Sequence, residues 1–273
     1  MFGKRKVAAL VAEFLGTGIL TLIVLSVQRS TLGLPFFVAA GAGLAVALVT
    51  FTFGNVSGAV INPALTLALI AVRKISVLTG IIYAVAQFLG AWLAYYLYTY
   101  FVNNKLQYIG GHFTWRVMVA EVVGTAIFAF GWSAAVYRRF TPTTMAAVAG
   151  LAFMVGIVAA SPGSIGLLNP AIALGVRAWE WGTYVAGPLV GALLAVVTYA
   201  YLFADDRNVV LLEEPVTVTQ ARPVAVVAAT SPAVRTTRTT TKAKAAAPKR
   251  ATKATTTRAK STTARKTTTR AKK

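Results

Sequence analysis

The chain has 273 residues, of which 57% are hydrophobic and only 12% charged, and its mean hydropathy is +0.68. A soluble domain carries about a quarter charged residues, so a water-soluble globular class is excluded for most of the chain. With no cysteine there are neither disulfides nor thiolate metal sites, and the lone histidine, His112, builds no metal cluster. No metal or cofactor is expected.

Charge is unevenly spread. From Met1 to Asp206 there are eleven Lys/Arg and five Asp/Glu, whereas Ala221 to Lys273 holds fifteen Lys/Arg and no acid, so the net charge of +20 belongs mostly to the C-terminal stretch. The start, Lys4-Arg5-Lys6 before an apolar run, has the form of a secretion signal. The run continues to about Val27, however, which is long enough to span a bilayer.

Six segments of spanning length follow in chain order, at about 7–27, 36–53, 77–102, 116–137, 143–160 and 182–204. Two further apolar pieces, about 63–72 and 170–179, are too short to span. An even number of spans puts both termini on one side. That side would hold Lys4, Arg5, Lys6, Arg73, Lys74, Arg138, Arg139 and Arg207, against Arg29, Lys105, Arg116 and Arg177 on the other. Basic residues concentrate in cytoplasmic loops, so a multi-pass cell-membrane protein with both termini in the cytoplasm is predicted.

An internal repeat sets the architecture. Ala12-Glu13-Phe14-Leu15-Gly16-Thr17 recurs as Ala120-Glu121-Val122-Val123-Gly124-Thr125, 108 residues later. Gly43-Leu44-Ala45 recurs as Gly150-Leu151-Ala152, and Ser57–Ala64 recurs as Ser164–Ala171, each 107 residues later. Matches at offsets that agree to within one residue mark a duplication. Each half, about 7–102 and 116–204, holds three spans, so the second must cross in the opposite sense. The predicted fold is an all-α membrane domain over 1–208, with six transmembrane helices and two re-entrant half-helices in an inverted 3+3 repeat. A basic Ala/Thr/Lys/Arg-rich tail over 209–273 has no apolar periodicity and is expected to be disordered and cytoplasmic.

Each short segment opens on the same tripeptide, Asn62-Pro63-Ala64 and Asn169-Pro170-Ala171. Asn is a favoured N-cap, and Pro suits the first helical position because its missing N–H would be unpaired there. Two half-length helices entering from opposite faces would meet end to end near the midplane. Non-helical backbone at that depth survives only where it lines water or is buried in protein. The Asn carbonyls would cap the helices and leave the amide NH₂ groups free to donate into a pore. Partial positive charge at both helix starts would admit neutral molecules with lone pairs and repel cations.

At these residues the sequence resembles the aquaporin and glycerol-facilitator family, the major intrinsic proteins. The likeness covers about 7–204. Besides the paired tripeptides and Ala12–Thr17, it rests on Ser57-Gly58-Ala59, Gln87-Phe88-Leu89-Gly90-Ala91 and Tyr184-Val185-Ala186-Gly187-Pro188-Leu189-Val190-Gly191. It implies a bilayer-embedded homotetramer, one pore per subunit, that conducts water and small neutral solutes. It also implies that Glu13 and Glu121 anchor the re-entrant loops; intramembrane carboxylates serving as proton carriers are the other reading.

The likeness breaks down where selectivity is set. Family members usually carry arginine immediately after the second Asn-Pro-Ala, and here Ile172 stands there. Arg177, further along the half-helix, is expected to be a solvated mouth residue. The other constriction positions fall on Ala42, Ile157 and Gly166. Ala42 and Gly166 would widen the pore, while Ile157 and Ile172 would dry it. The expected function is therefore a passive channel, not an enzyme, for water and small uncharged solutes such as glycerol. Two alternatives are an apolar pore for gases or other weakly hydrated solutes, and a poorly conducting structural or adhesive membrane protein. The tail would be a solvated repelling segment, or would bind anionic lipid or nucleic acid.

Overall fold

The protein is described here from a computed structural model covering residues 3–31 and 33–204; the expectations for the C-terminal tail lie outside the described residues. Its helices are α1 (Lys4–Gln28), α2 (Pro35–Ser57), α3 (Pro63–Ala71), α4 (Val77–Val102), α5 (Trp115–Tyr137), α6 (Pro142–Ala160), α7 (Pro170–Gly175) and α8 (Gly187–Leu202). A π-helical turn, Trp181–Ala186, leads into α8. Six helices are long and apolar enough to cross a membrane, counting Trp181–Leu202 as one.

Local chemistry sets the boundaries. Pro35 and Pro142 occupy first helical positions, and the side chains of Ser76, Thr114 and Thr141 each accept an N–H in the first turn of the helix they cap. Asn103, at φ +48°, turns left-handed and ends α4. The wide turn before α8 fits Pro188, which has no N–H to continue a regular ladder.

Polarity is arranged for lipid. On α1 the exposed face carries Val7, Val11, Leu15 and Ile19, four residues apart, while Glu13, Thr17 and Thr21 face inward. Inside a bilayer, apolar burial supplies no drive between helices, so close packing must hold them together. Small residues provide it. α2 crosses α6 at Gly43 and Gly150, where a Cβ on Gly43 would stand 2.8 Å from the Gly150 carbonyl oxygen and one on Gly150 would stand 2.5 Å from that of Gly43. α4 meets α1 at Gly90, against the Phe14 carbonyl, and α8 meets α5 at Gly191, against the Val122 carbonyl. These crossings pair off between the halves, as the repeat requires.

Two sets of contacts define the faces. The end of α1 reaches the end of α7 through Arg29 and Val176. At the other face, Lys74, just after α3, lies over the Tyr137 ring at the end of α5, and Tyr137 stacks beside Tyr199 near the end of α8. α3 and α7 therefore run from the interior to opposite faces. Nine and six residues rise about 13 and 9 Å, so neither spans. The second half-helix is shorter than the predicted 170–179. After Gly175 the chain turns, and Arg177 adopts φ +65°. Arg177 is thus not on the half-helix at all; it is exposed, with its guanidinium 6.0 Å from the Tyr95 ring centre.

Candidate functional site

The two tripeptides meet in the interior. Asn62 caps α3, its Oδ1 accepting from the Ala64 N–H at 2.9 Å and the Leu65 N–H at 3.5 Å. Asn169 caps α7 in the same way, accepting from the Ala171 N–H at 2.9 Å. Pro63 and Pro170 each occupy the first helical position. The amides are not wholly free, as the sequence had suggested. Asn62 Nδ2 donates to the Leu168 carbonyl at 2.9 Å, and Asn169 Nδ2 donates to the Ile61 carbonyl at 2.8 Å. Each asparagine thus pins the opposite loop with one amide hydrogen and keeps one. The reason is local: buried carbonyls at the end of each loop need donors, and the facing asparagine is the group within reach.

The loops leading to the asparagines are strained. Ala59 and Ile61 have φ of +48° and +41°, and at the repeat-related positions Gly166 and Leu168 have φ of +67° and +53°. Left-handed backbone costs an L-residue ~1–2 kcal/mol, and a β-branched Ile61 there is unusual. The glutamates compensate. Glu13 Oε1 accepts from Ser57 Oγ at 2.6 Å and the Val60 N–H at 3.0 Å, while Oε2 accepts from the Ile61 N–H at 2.7 Å and Gln87 Nε2 at 2.8 Å. Glu121 Oε1 accepts from Ser164 Oγ and, at 3.0 Å, from the Leu167 N–H; its Oε2 accepts from the Leu168 N–H at 2.7 Å. Both carboxyls are fully buried.

Four contributors to this network were not among the expected site residues. Gln87 bridges Glu13 to Thr66 of α3, donating to Thr66 Oγ1 at 3.0 Å. Ser57 and Ser164 open the two loops, and their recurrence in the repeat was the available signal. Tyr83 donates to the Ser57 carbonyl at 3.2 Å. Tyr184, on the counterpart helix, is also buried.

The constriction candidates lie on three elements and a loop. Ala42 is on α2, Ile157 on α6, Ile172 on α7, and Gly166 in the second loop. Ala42, Ile157 and Ile172 are 0, 2 and 1% exposed and belong to one packed core. The gap expected beside Gly166 is partly filled. A Cβ there would stand 3.1 Å from Ile157 Cγ2, so the isoleucine occupies part of the space the glycine leaves. Ala64, Ala171 and Val60 are likewise buried.

Paired half-helices, joined at capped asparagines inside an inverted six-span bundle, are the architecture of a membrane channel protein. The comparisons give the family. Residues 3–199 match the model of the major intrinsic proteins, and the chain belongs to that family of passive channels for water and small solutes. It is 31% identical over 201 residues to aquaporin AqpM of Methanothermobacter thermautotrophicus, covering 63% of this chain and 80% of that one. It is 31% identical over 179 residues to aquaporin-4 of Mus musculus, covering 60% of this chain and 55% of that one. Among solved structures, the aquaglyceroporin from Plasmodium falciparum shares the fold at a TM-score of 0.63 with 20% identity, covering 72% of this chain and 96% of that one.

Proposed function

We propose that this channel passes water and small uncharged solutes of the glycerol class, and excludes ions at the paired Asn-Pro-Ala junction. The observation that carries this is the reciprocal pairing of Asn62 and Asn169. It fixes two helix N-termini face to face and leaves one N–H on each amide for a passing lone pair. A cation would face two positive helix ends without a counter-charge, because both nearby carboxylates are turned to the loops.

Glu13 and Glu121 act as loop anchors in this reading, since their oxygens are taken by loop donors and Gln87. Ala42, Ile157, Gly166 and Ile172 form the selectivity constriction. It offers solutes no charged donor, so discrimination rests on width and on the cost of drying. The bundle is a homotetramer with a pore per subunit, set in the cell membrane with both termini cytoplasmic. Residues 1–208 form the channel, and the basic residues of 209–273 engage the anionic surface of lipid or nucleic acid.

The test is paired flux in proteoliposomes. Wild type should raise both water and glycerol permeability over empty vesicles. Ile172→Arg would narrow the constriction and should cut glycerol flux about tenfold more than water flux, the effect of ~1.4 kcal/mol on the barrier. A folded wild type that excludes glycerol, or an unchanged ratio in Ile172→Arg, would refute this placement of the constriction.

A further inference from the structure

The outer end of α7 is held by a residue from the other half. Arg29 Nη2 donates to the Val176 carbonyl at 3.2 Å and to the Gln107 carbonyl, also at 3.2 Å. Val176 is the C-cap of α7, and its own N–H donates to the Ile172 carbonyl at 2.9 Å. Arg29 is therefore one helical turn from the residue that replaces the family's usual arginine. The carbonyls at a helix C-terminus lack intrahelical partners and carry partial negative charge. A guanidinium is suited to bind two of them at once.

The same face is stitched further. The Ile109 N–H donates to the Arg177 carbonyl at 2.8 Å, and Tyr108 Oη donates to the Trp179 carbonyl at 2.7 Å. The segment between α4 and α5 thus straps the chain that follows α7, and Arg29 ties strap and half-helix together. The repeat supplies a counterpart. Adding the offset of 108 to residue 29 gives Tyr137, the last residue of α5. Tyr137 meets Lys74, just beyond α3, with the ammonium 4.4 Å from the ring centre. At each face, a residue at the end of one half's first span contacts the chain beyond the other half's half-helix.

We propose that Arg29 is a positioning residue for selectivity: by holding the end of α7 it sets where Ile172 stands against Ile157 and Gly166. This rests on the constriction assigned above. Removing the guanidinium frees the Val176 carbonyl and lets α7 shift, so the effect should appear in discrimination between solutes.

Two readouts test it. Glycerol and water permeabilities are measured for wild type, Arg29→Ala, Arg29→Gln and Arg29→Lys. Because the chain has no cysteine, Ile172→Cys supplies a single thiol. Its rate of modification by a small methanethiosulfonate reagent is measured with and without Arg29→Ala. Loss of charge-assisted hydrogen bonds should change both the solute ratio and the thiol rate by about threefold or more. Arg29→Lys, which keeps a charged donor, should recover most of the wild-type ratio. If Arg29→Ala does not fold, Arg29→Gln carries the same comparison. An unchanged thiol rate in the folded variant overturns the positioning role whatever Ile172→Arg does. A changed thiol rate with no effect of Ile172→Arg on the ratio upholds Arg29 and removes the constriction instead.

Discussion

The two halves solve one problem with unequal means. In the first, four donors converge on Glu13: Ser57, Val60, Ile61 and Gln87. In the second, three converge on Glu121, because Pro188 stands where the counterpart helix would place a residue equivalent to Gln87. The first half-helix has nine residues and the second six. Yet the asparagines pair almost symmetrically, at 2.9 and 2.8 Å. The junction is what both halves conserve, while the scaffolding around it has diverged. The shorter half-helix with fewer internal ties is also the one secured at its far end by an arginine.

The largest expected effect lies in the anchors. Glu13→Ala strands four buried donors and Glu121→Ala three. Each buried unpaired donor costs about 1–3 kcal/mol, so both variants should lower the melting temperature in detergent steeply, and Glu13→Ala more. Gln87→Leu should bring the first half's tolerance close to the second's. Equal melting of the two alanine variants would contradict the unequal anchoring.

The smallest expected effect is at Glu180. It sits before the π-helical turn, and its Oε2 accepts from the Thr183 N–H at 2.6 Å and Thr183 Oγ1 at 2.7 Å. Burial pushes its carboxyl upward, but these hydrogen bonds outweigh it and hold the group below its ordinary 4.5. A carboxyl with a lowered value stabilises the fold above 4.5 and loses that contribution as pH falls past it. The group is only partly buried and still meets solvent, so the effect is small. Melting between pH 5 and 3 should fall slightly more in wild type than in Glu180→Gln, and a parallel fall would remove the cap from the account.

Much of this was legible in sequence because the repeat is strong. The spans follow from apolar runs about twenty residues long, and the half-helices from runs half that length. The end of α7 lies before the expected 179 because Val176, Ala178 and Trp179 keep the run apolar around a single Arg177 while the backbone turns; hydropathy does not register a left-handed Arg177. The free amides were misjudged because the carbonyls of Ile61 and Leu168 need donors, which is visible only once the loops are folded against each other. Ile157 packing onto Gly166 was hidden for the same reason: the sequence names a small residue but not the neighbour that fills its space. In sequence Arg29 counts only as a loop charge, because a basic residue at a span's end is ordinarily a solvated one; its bonds to Gln107 and Val176 exist only in the fold.

Osmotic flux tests most directly the proposal that the Asn62–Asn169 junction lies on the conducting path. Wild type, Asn62→Leu and Asn169→Leu are reconstituted at equal amounts, folding is checked by melting and oligomer size, and vesicle shrinkage is timed. Each leucine variant removes a cap worth about 1 kcal/mol, leaves the opposite loop carbonyl without its donor at about 1–3 kcal/mol, and puts an apolar group where the proposed path needs a donor. Both should therefore fold yet lose most water permeability, to a similar extent because the two sites are equivalent. Folded variants that shrink vesicles as fast as wild type would contradict the assignment of the junction as the path.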